Sequence, residues 1–240
     1  MIRTIYIIIL AYFFLATVAF YFINRRKQAD VARNSWIKLC TYFLIVNIIF
    51  FTVAFLPLAF RILTGIIILM GFYELYKLHR ESGFNQKSFY WRSVVLFALF
   101  SLGFFYFSGL DKGLILFTFL VLCIFDGFSQ IAGQLFGRRK LFPKISPNKT
   151  VEGLIGGTLI AVLSALLIEK LIYAEALRAM LMAFGIAVFA FVGDLATSYY
   201  KRKFHVKDFS NMIPGHGGFL DRFDSFIAGG AWIALLELLA

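Results

Sequence analysis

The stretch SYYKRKFHVKDFSNMIPGHGGFLDRFDSF, Ser198 to Phe226, decides how the chain must fold. It opens on a basic run, turns through Pro214-Gly215-His216-Gly217-Gly218, and carries Asp221 and Asp224 straight into a last apolar stretch. Apolar sequence flanks it on both sides. A charged segment so placed predicts a loop between two membrane-spanning helices, with two carboxylates where the second helix begins.

Working outward, the composition sets the same solvent. Hydrophobic residues make up 61% of the 240, aromatic residues 19%, and charged residues only 15%. Mean hydropathy is +0.83, whereas soluble domains carry about 25% charged residues. Apolar stretches at roughly 2–23, 36–56, 58–78, 92–109, 114–136, 151–169, 175–199 and 219–239 can each cross the ~30 Å hydrocarbon layer. Pro57 marks a tight turn between the second and third. The expected fold is all-α: a polytopic integral-membrane bundle of about eight helices, forming one membrane domain over 1–240. The first stretch has its charge after the apolar run, at Asn24-Arg25-Arg26-Lys27, and reads as an uncleaved anchor. Cys40 and Cys123 lie in apolar stretches and read as core residues, with no disulfide or metal site.

The net charge of +11 raises the question of nucleic acid, and its distribution answers it. If the chain alternates across a membrane, 19 of the 24 Lys and Arg fall on one side, leaving Arg3, Arg61, Lys112, Lys170 and Arg178 on the other. The positive-inside rule then puts both termini on the non-cytoplasmic side and the long loops in the cytoplasm. Membrane lipids, not nucleic acid, are the expected surroundings.

An ionisable residue inside a span needs a reason. Asp126 lies eleven residues before Gly137-Arg138-Arg139-Lys140, and Asp194 lies seven before Lys201. Asp221 and Asp224, three apart, share one helical face. Four carboxylates from three spans are thus expected at similar depth in a cavity open to the cytoplasm. Their mutual repulsion would be relieved by a divalent cation, and an all-oxygen set suits Mg²⁺; pairing of each aspartate with a nearby Lys or Arg is the open alternative. Ser146-Pro147-Asn148-Lys149-Thr150-Val151-Glu152-Gly153 reads as a helix start beside a lysine, a setting favourable to anions, though a Pro-bearing helix start with a solvated lysine explains it equally. The glycines around His216 let backbone approach a ligand closely. His79 and His205 lack that setting and read as loop residues. Together these features point to phosphoryl or nucleotidyl chemistry at a membrane surface, without naming a substrate.

The C-terminal residues also resemble a known family. Ser198-Tyr199-Tyr200-Lys201-Arg202, Lys207-Asp208, Pro214-x-His216-Gly217-Gly218 and Asp221-Arg222-Phe223-Asp224 resemble, in order and without insertion, the signature of CDP-diacylglycerol synthase (phosphatidate cytidylyltransferase). Ser146-Pro147-x-Lys149-Thr150-x-Glu152-Gly153 resembles a second motif, and Gly193-Asp194-Leu195 a third. The resemblance covers about 126–225, so 111–240 are expected to be the catalytic spans and 1–110 to be spans of generic character. One part departs. The family usually places Ala-Tyr three and four residues after the first aspartate, where Ser129 and Gln130 follow Asp126; Gly133 and Gly137 keep their places. If those two positions shape the pocket, the acceptor differs from ordinary phosphatidate.

The resemblance implies transfer of a cytidylyl group from CTP to phosphatidate, giving CDP-diacylglycerol and pyrophosphate, in phospholipid biosynthesis. It implies Asp194, Asp221 and Asp224 as Mg²⁺ ligands, with Asp126 a fourth ligand or outer partner, and a second, monovalent cation such as K⁺. Lys149, Lys201 and Arg202 would engage CTP or lipid phosphates, Lys201 and Arg202 belonging to the catalytic set with the aspartates. Arg222 would do the same or hold the aspartates in place, and His216, Gly217 and Gly218 would line the triphosphate site. Ser146, Thr150 and Glu152 would complete the substrate-binding set. A bacterial inner membrane is the implied location, with a cytoplasmic active site, CTP and a lipid phosphate as partners, and a homodimer among the compatible assemblies. Competing readings are a cytidylyltransferase for another lipid phosphate, a CTP-dependent lipid kinase, a cation transporter and a non-catalytic scaffold.

Overall fold

Every apolar stretch becomes a helix. The computed structural model describes residues 2–25, 28–215 and 217–239. It contains α1 (Ile2–Asn24), α2 (Ala29–Phe55), α3 (Pro57–Glu81), α4 (Lys87–Phe107), α5 (Lys112–Phe136), α6 (Val151–Ile168), α7 (Ala176–Lys203) and α8 (Leu220–Leu239). Six of them, α2 to α7, are long and apolar enough to cross a membrane by length and composition. Large apolar side chains such as Leu58, Leu69, Leu102 and Leu167 stand exposed on the outside, a surface that lipid solvates and water does not. The chain is therefore an all-α, polytopic membrane protein.

Helix α8 solves a different problem. Asp221, Arg222 and Asp224 in its first turns and Glu237 near its end put too many charges along it, and its neighbours shelter it instead. Gly193 of α7 lies so close to α8 that a Cβ there would sit 2.7 Å from Ala228 and 2.8 Å from the Asp224 carbonyl. Small residues at a crossing let backbones approach, and here they bring Asp194 beside Asp224. Deeper in α8, Phe226 packs edge-on against Phe104, Phe107 and Phe119, with ring centroids 5.1, 5.9 and 5.7 Å away. That aromatic knot ties α8 to α4 and α5 just below the carboxylates.

Pro57 occupies the first turn of α3, where its missing N–H costs nothing, and turns the chain after α2 as expected. Several other expectations need correction. Helix α7 runs past 199 to Lys203, so Lys201 and Arg202 stand in its last turn, facing the carbonyl end of the helix dipole. His79 is no loop residue: it is buried in α3, its ring stacked on Tyr90 at 4.0 Å. Cys40 is exposed on α2 rather than buried in a core. Between α5 and α6 the chain forms a two-stranded antiparallel hairpin, β1 (Lys140–Phe142) and β2 (Ser146–Thr150), pairing Lys140 with Thr150 and Phe142 with Ser146. Pro147 therefore sits in a strand, and α6 starts only at Val151. Proline tolerates such a two-stranded edge because no third strand calls for the N–H that it lacks.

Candidate active site

A cavity of about 350 Å³ opens among α2, α5, α7, α8 and the loop before α8. Its polar side presents Asp126, Asp194, Asp208, Asp221 and Asp224, with Lys201 and Arg222 among them. Its opposite wall is apolar, built by Ile45, Val46 and Ile49 of α2 and Phe119 and Leu122 of α5. The structure thus brings together Asp126, Asp194, Asp221, Asp224, Lys201 and Arg222, six of the residues singled out in the sequence. Cys123, expected in the core, also faces this space.

The carboxylates are held differently. Asp221 is spoken for on both oxygens: Lys201 Nζ donates to Oδ1 at 2.6 Å, and the N–H groups of Phe209 and Gly218 donate to Oδ2 at 2.8 Å each. Asp194 pairs with Lys149 at 2.6 Å and accepts from Ser198 Oγ at 3.2 Å. Asp224 accepts from the Thr197 hydroxyl and from the N–H of Ser225. Asp126 accepts no hydrogen bond among the described residues and simply faces the cavity. The pairing alternative leaves a mark: two of the four aspartates are paired with lysines. Among the described residues, no three His, Cys, Asp or Glu side chains converge closely enough to hold a metal by themselves.

The remaining motif residues do intramolecular work. Thr150 caps α6 by accepting from the Gly153 N–H at 3.1 Å, and the Val151 N–H is spent on the Arg139 carbonyl at 2.9 Å. Glu152 reaches back to the N–H groups of Arg138 and Arg139. The amides at this helix start are consequently engaged by the chain itself. Ser146 pairs in β2 and does not line the cavity. Lys149 alone of this motif reaches the aspartates, with its Nζ also 4.6 Å above the Phe191 ring. Arg202 does not line the cavity; its guanidinium donates to the carbonyls of Ile145 and Val206 and fixes the hairpin to the end of α7. His216 lies outside the described residues. Gly217 has φ +84°, and a Cβ on it would sit 2.8 Å from Asp221 Oδ2; a Cβ on Gly218 would collide with the carboxylate of Glu74. These glycines do permit close approach, and what approaches is the chain's own carboxylates.

Ser129 and Gln130 fall outside the cavity wall. Ser129 is on the α6 face of α5, its hydroxyl buried against Gly157, while Gln130 is exposed. Small size at 129 serves helix packing, and the site's shape does not run through it.

Two contributors were missed in the sequence. Helix α2 supplies much of the apolar wall, although its residues read as a generic span. Glu74, in the middle of an apolar run of α3, is fully buried and grips the loop that leads into α8. An acidic residue inside a span was the signal available for Glu74; nothing in α2 distinguished its cavity face.

These features define a class: a polytopic membrane protein with a carboxylate- and lysine-lined cavity between its later helices, one wall of it apolar. The model of the Cytidylyltransferase family matches residues 95–239, which carry all four cavity aspartates first noted in the spans, and the chain belongs to that family. Over 135 residues it is 42% identical to a phosphatidate cytidylyltransferase of Staphylococcus epidermidis, covering 54% of this chain and 52% of that protein. It is 41% identical over 126 residues to one from Rickettsia bellii, covering 49% and 54%, and 44% identical over 104 residues to one from Bacillus subtilis, covering 42% and 39%. The chain thus spans about half the length of the curated relatives it matches.

Proposed function

We propose that the protein is a phosphatidate cytidylyltransferase, converting CTP and phosphatidate to CDP-diacylglycerol and pyrophosphate. One observation carries the reading beyond family membership: a single cavity joins a charged wall, suited to phosphates, to an apolar wall, suited to a lipid. In the reaction a phosphate oxygen of the lipid attacks the α-phosphorus of CTP. The bond from that phosphorus to the oxygen bridging to the β-phosphate breaks, and pyrophosphate leaves with the electron pair. The attacking phosphate is largely ionised near neutral pH, so no strong general base is required. The work left for the protein is to align two polyanions and offset their charge.

Lys201, Arg222 and Lys149 supply positive charge at the cavity, each anchored beside a carboxylate or along the α8 start. The donor set fits Mg²⁺: it is all oxygen, and this ion is commonly held by one or two carboxylates plus substrate phosphates, so a closed protein cage is not required. Asp126 together with Asp194 or Asp224, and the substrate phosphates, would hold it, since no three carboxylates converge among the described residues and Asp221 is occupied by three donors. Bound there, Mg²⁺ would neutralise phosphate charge in the transition state; a monovalent cation beside it belongs to the same proposal. We place the cavity on the cytoplasmic side of a bacterial inner membrane, from the Lys and Arg asymmetry between loops.

The test is to incubate purified protein with labelled CTP, Mg²⁺ and a panel of lipid phosphates, then identify products. Pyrophosphate and a CDP-lipid are expected, with phosphatidate the best acceptor; CDP and no pyrophosphate would instead establish a kinase. Cysteines placed singly along 138–149 should react with an impermeant thiol reagent from the cytoplasmic side alone, and reaction from the other side would overturn the orientation.

A further inference from the structure

Glu74 has a place that its sequence context conceals. It sits two turns from the end of α3, outside the residues matched to the family, and its side chain has no exposure at all. A carboxyl inside a membrane-buried helix is costly unless its oxygens are matched. Here both are. Oε1 accepts from Ser210 Oγ at 2.6 Å and from the Phe219 N–H at 3.0 Å, and Oε2 accepts from the Leu220 N–H at 2.8 Å. The next carbonyl along, Leu75 O, accepts from Tyr200 of α7 at 2.8 Å. Gly218 lies against the Glu74 carboxylate with no room for a Cβ between them.

Phe219 and Leu220 form the start of α8, and their N–H groups belong to the set a helix leaves without internal partners. Asp221 takes the N–H immediately before them, at Gly218, and holds Lys201 with its other oxygen. Two carboxylates from helices far apart in sequence therefore divide the amides of one turn. Whatever sets the position of Leu220 also sets Asp221 next to it and Asp224 one helical turn on.

We infer that Glu74 is a positioning residue for the active site: it fixes the height and rotation of the start of α8, and through it the cavity faces of Asp221, Lys201 and Asp224. This rests on the proposed cytidylyltransferase reaction for its kinetic consequence, but the clamp itself is measurable without turnover. In Glu74→Gln one oxygen becomes an N–H₂ group, and either orientation turns a donor toward a donor. With CTP, Mg²⁺ and phosphatidate, the variant should lose about ten- to a hundredfold in kcat, with KM for CTP changing less than about threefold. The Mg²⁺ concentration for half-maximal rate should rise. Hydrogen exchange should quicken at the Phe219 and Leu220 amides while the α5–α6 core keeps its wild-type protection. Ser210→Ala, which removes one of the three bonds to Glu74 along with the Met212 N–H bond to the same hydroxyl and leaves both backbone bonds to Glu74, should stay within about threefold of wild type.

A folded Glu74→Gln protein with wild-type kcat, or with unchanged exchange at 219 and 220, would overturn the inference. If that variant is recovered only as aggregate, Gly218→Ala decides on the same readouts, since its Cβ pushes the clamp open from the other side; wild-type kcat there refutes it. Wild-type protein inactive on every lipid phosphate would sink the proposed reaction, while the exchange comparison would still stand for or against the clamp.

Discussion

Replacing Asp221 and Asp126 in parallel separates two kinds of carboxylate that share one cavity. Asp221 and Lys201 form a buried pair, with side chains 2% and 10% exposed, so solvent offers little screening. Removing one partner of such a pair costs about 3–5 kcal/mol, because the other charge is left without compensation. Asn is nearly isosteric, yet it cannot substitute: with one acceptor and one donor it must turn its N–H₂ either toward Lys201 or toward the N–H groups of Phe209 and Gly218. For a chain of this size about 1 kcal/mol corresponds to roughly 2–4 °C in Tm, so Asp221→Asn should unfold about 6–20 °C earlier. Asp126→Asn breaks no hydrogen bond among the described residues and relieves repulsion with Asp194 and Asp224 across the cavity. Its Tm should hold or rise. Both variants should lose CTP turnover. Thermal unfolding in detergent, followed alongside pyrophosphate release, gives the comparison. An Asp221→Asn protein that is inactive yet as stable as wild type would refute the clamp and make Asp221 a direct ligand; a destabilised Asp126→Asn would show that Asp126 has structural work of its own.

Other expectations concern residues around the cavity. In a Cys40→Ala background, a small thiol reagent should modify Cys123 through the cavity and inactivate the protein, with CTP and Mg²⁺ slowing the reaction; equal rates with and without CTP would place the nucleotide elsewhere. Ser129→Ala removes a buried hydroxyl that has no hydrogen-bond partner among the described residues, and should leave acceptor preference unchanged while raising stability by up to about 1 kcal/mol. A shift in lipid preference in that variant would mean that position 129 does shape the site. Gly157→Ala should destabilise by about 1–3 kcal/mol through collision with Ser129, and Ser129→Ala should restore part of the loss.

The helices were legible because apolar runs of this length have one stable form in lipid. The convergence of Asp126, Asp194, Asp221 and Asp224 was legible too, from their distances to basic loop residues and from the three-residue spacing of the last two. Their partners were not. Whether Asp221 meets a metal, Lys201 or a backbone amide depends on where α7 ends, and hydropathy loses α7 at its basic last turn although the helix continues to Lys203. The hairpin at 140–150 was hidden because two short strands, with a lysine in each and a proline in the second, carry no alternating pattern. Glu74 was readable by the same rule that drew attention to the aspartates, an ionisable group within an apolar run. The glycines at 217 and 218 showed a need for space without showing that Glu74 and Asp221 fill it.

The order of the clamp's parts along the chain has a consequence for biogenesis. Glu74 on α3 and Lys201 on α7 precede the turn that satisfies them, because Phe219, Leu220 and Asp221 belong to the start of α8. While the ribosome is still extending the chain, an acid and a base already delivered to the bilayer lack these counterparts, a state that hydrocarbon penalises. Insertion of α8 removes both penalties in one event, as this helix closes on the earlier ones. A chain stalled before α8 therefore differs from one that includes it in charge left exposed to lipid as well as in length, which gives membrane quality control a chemical mark to read.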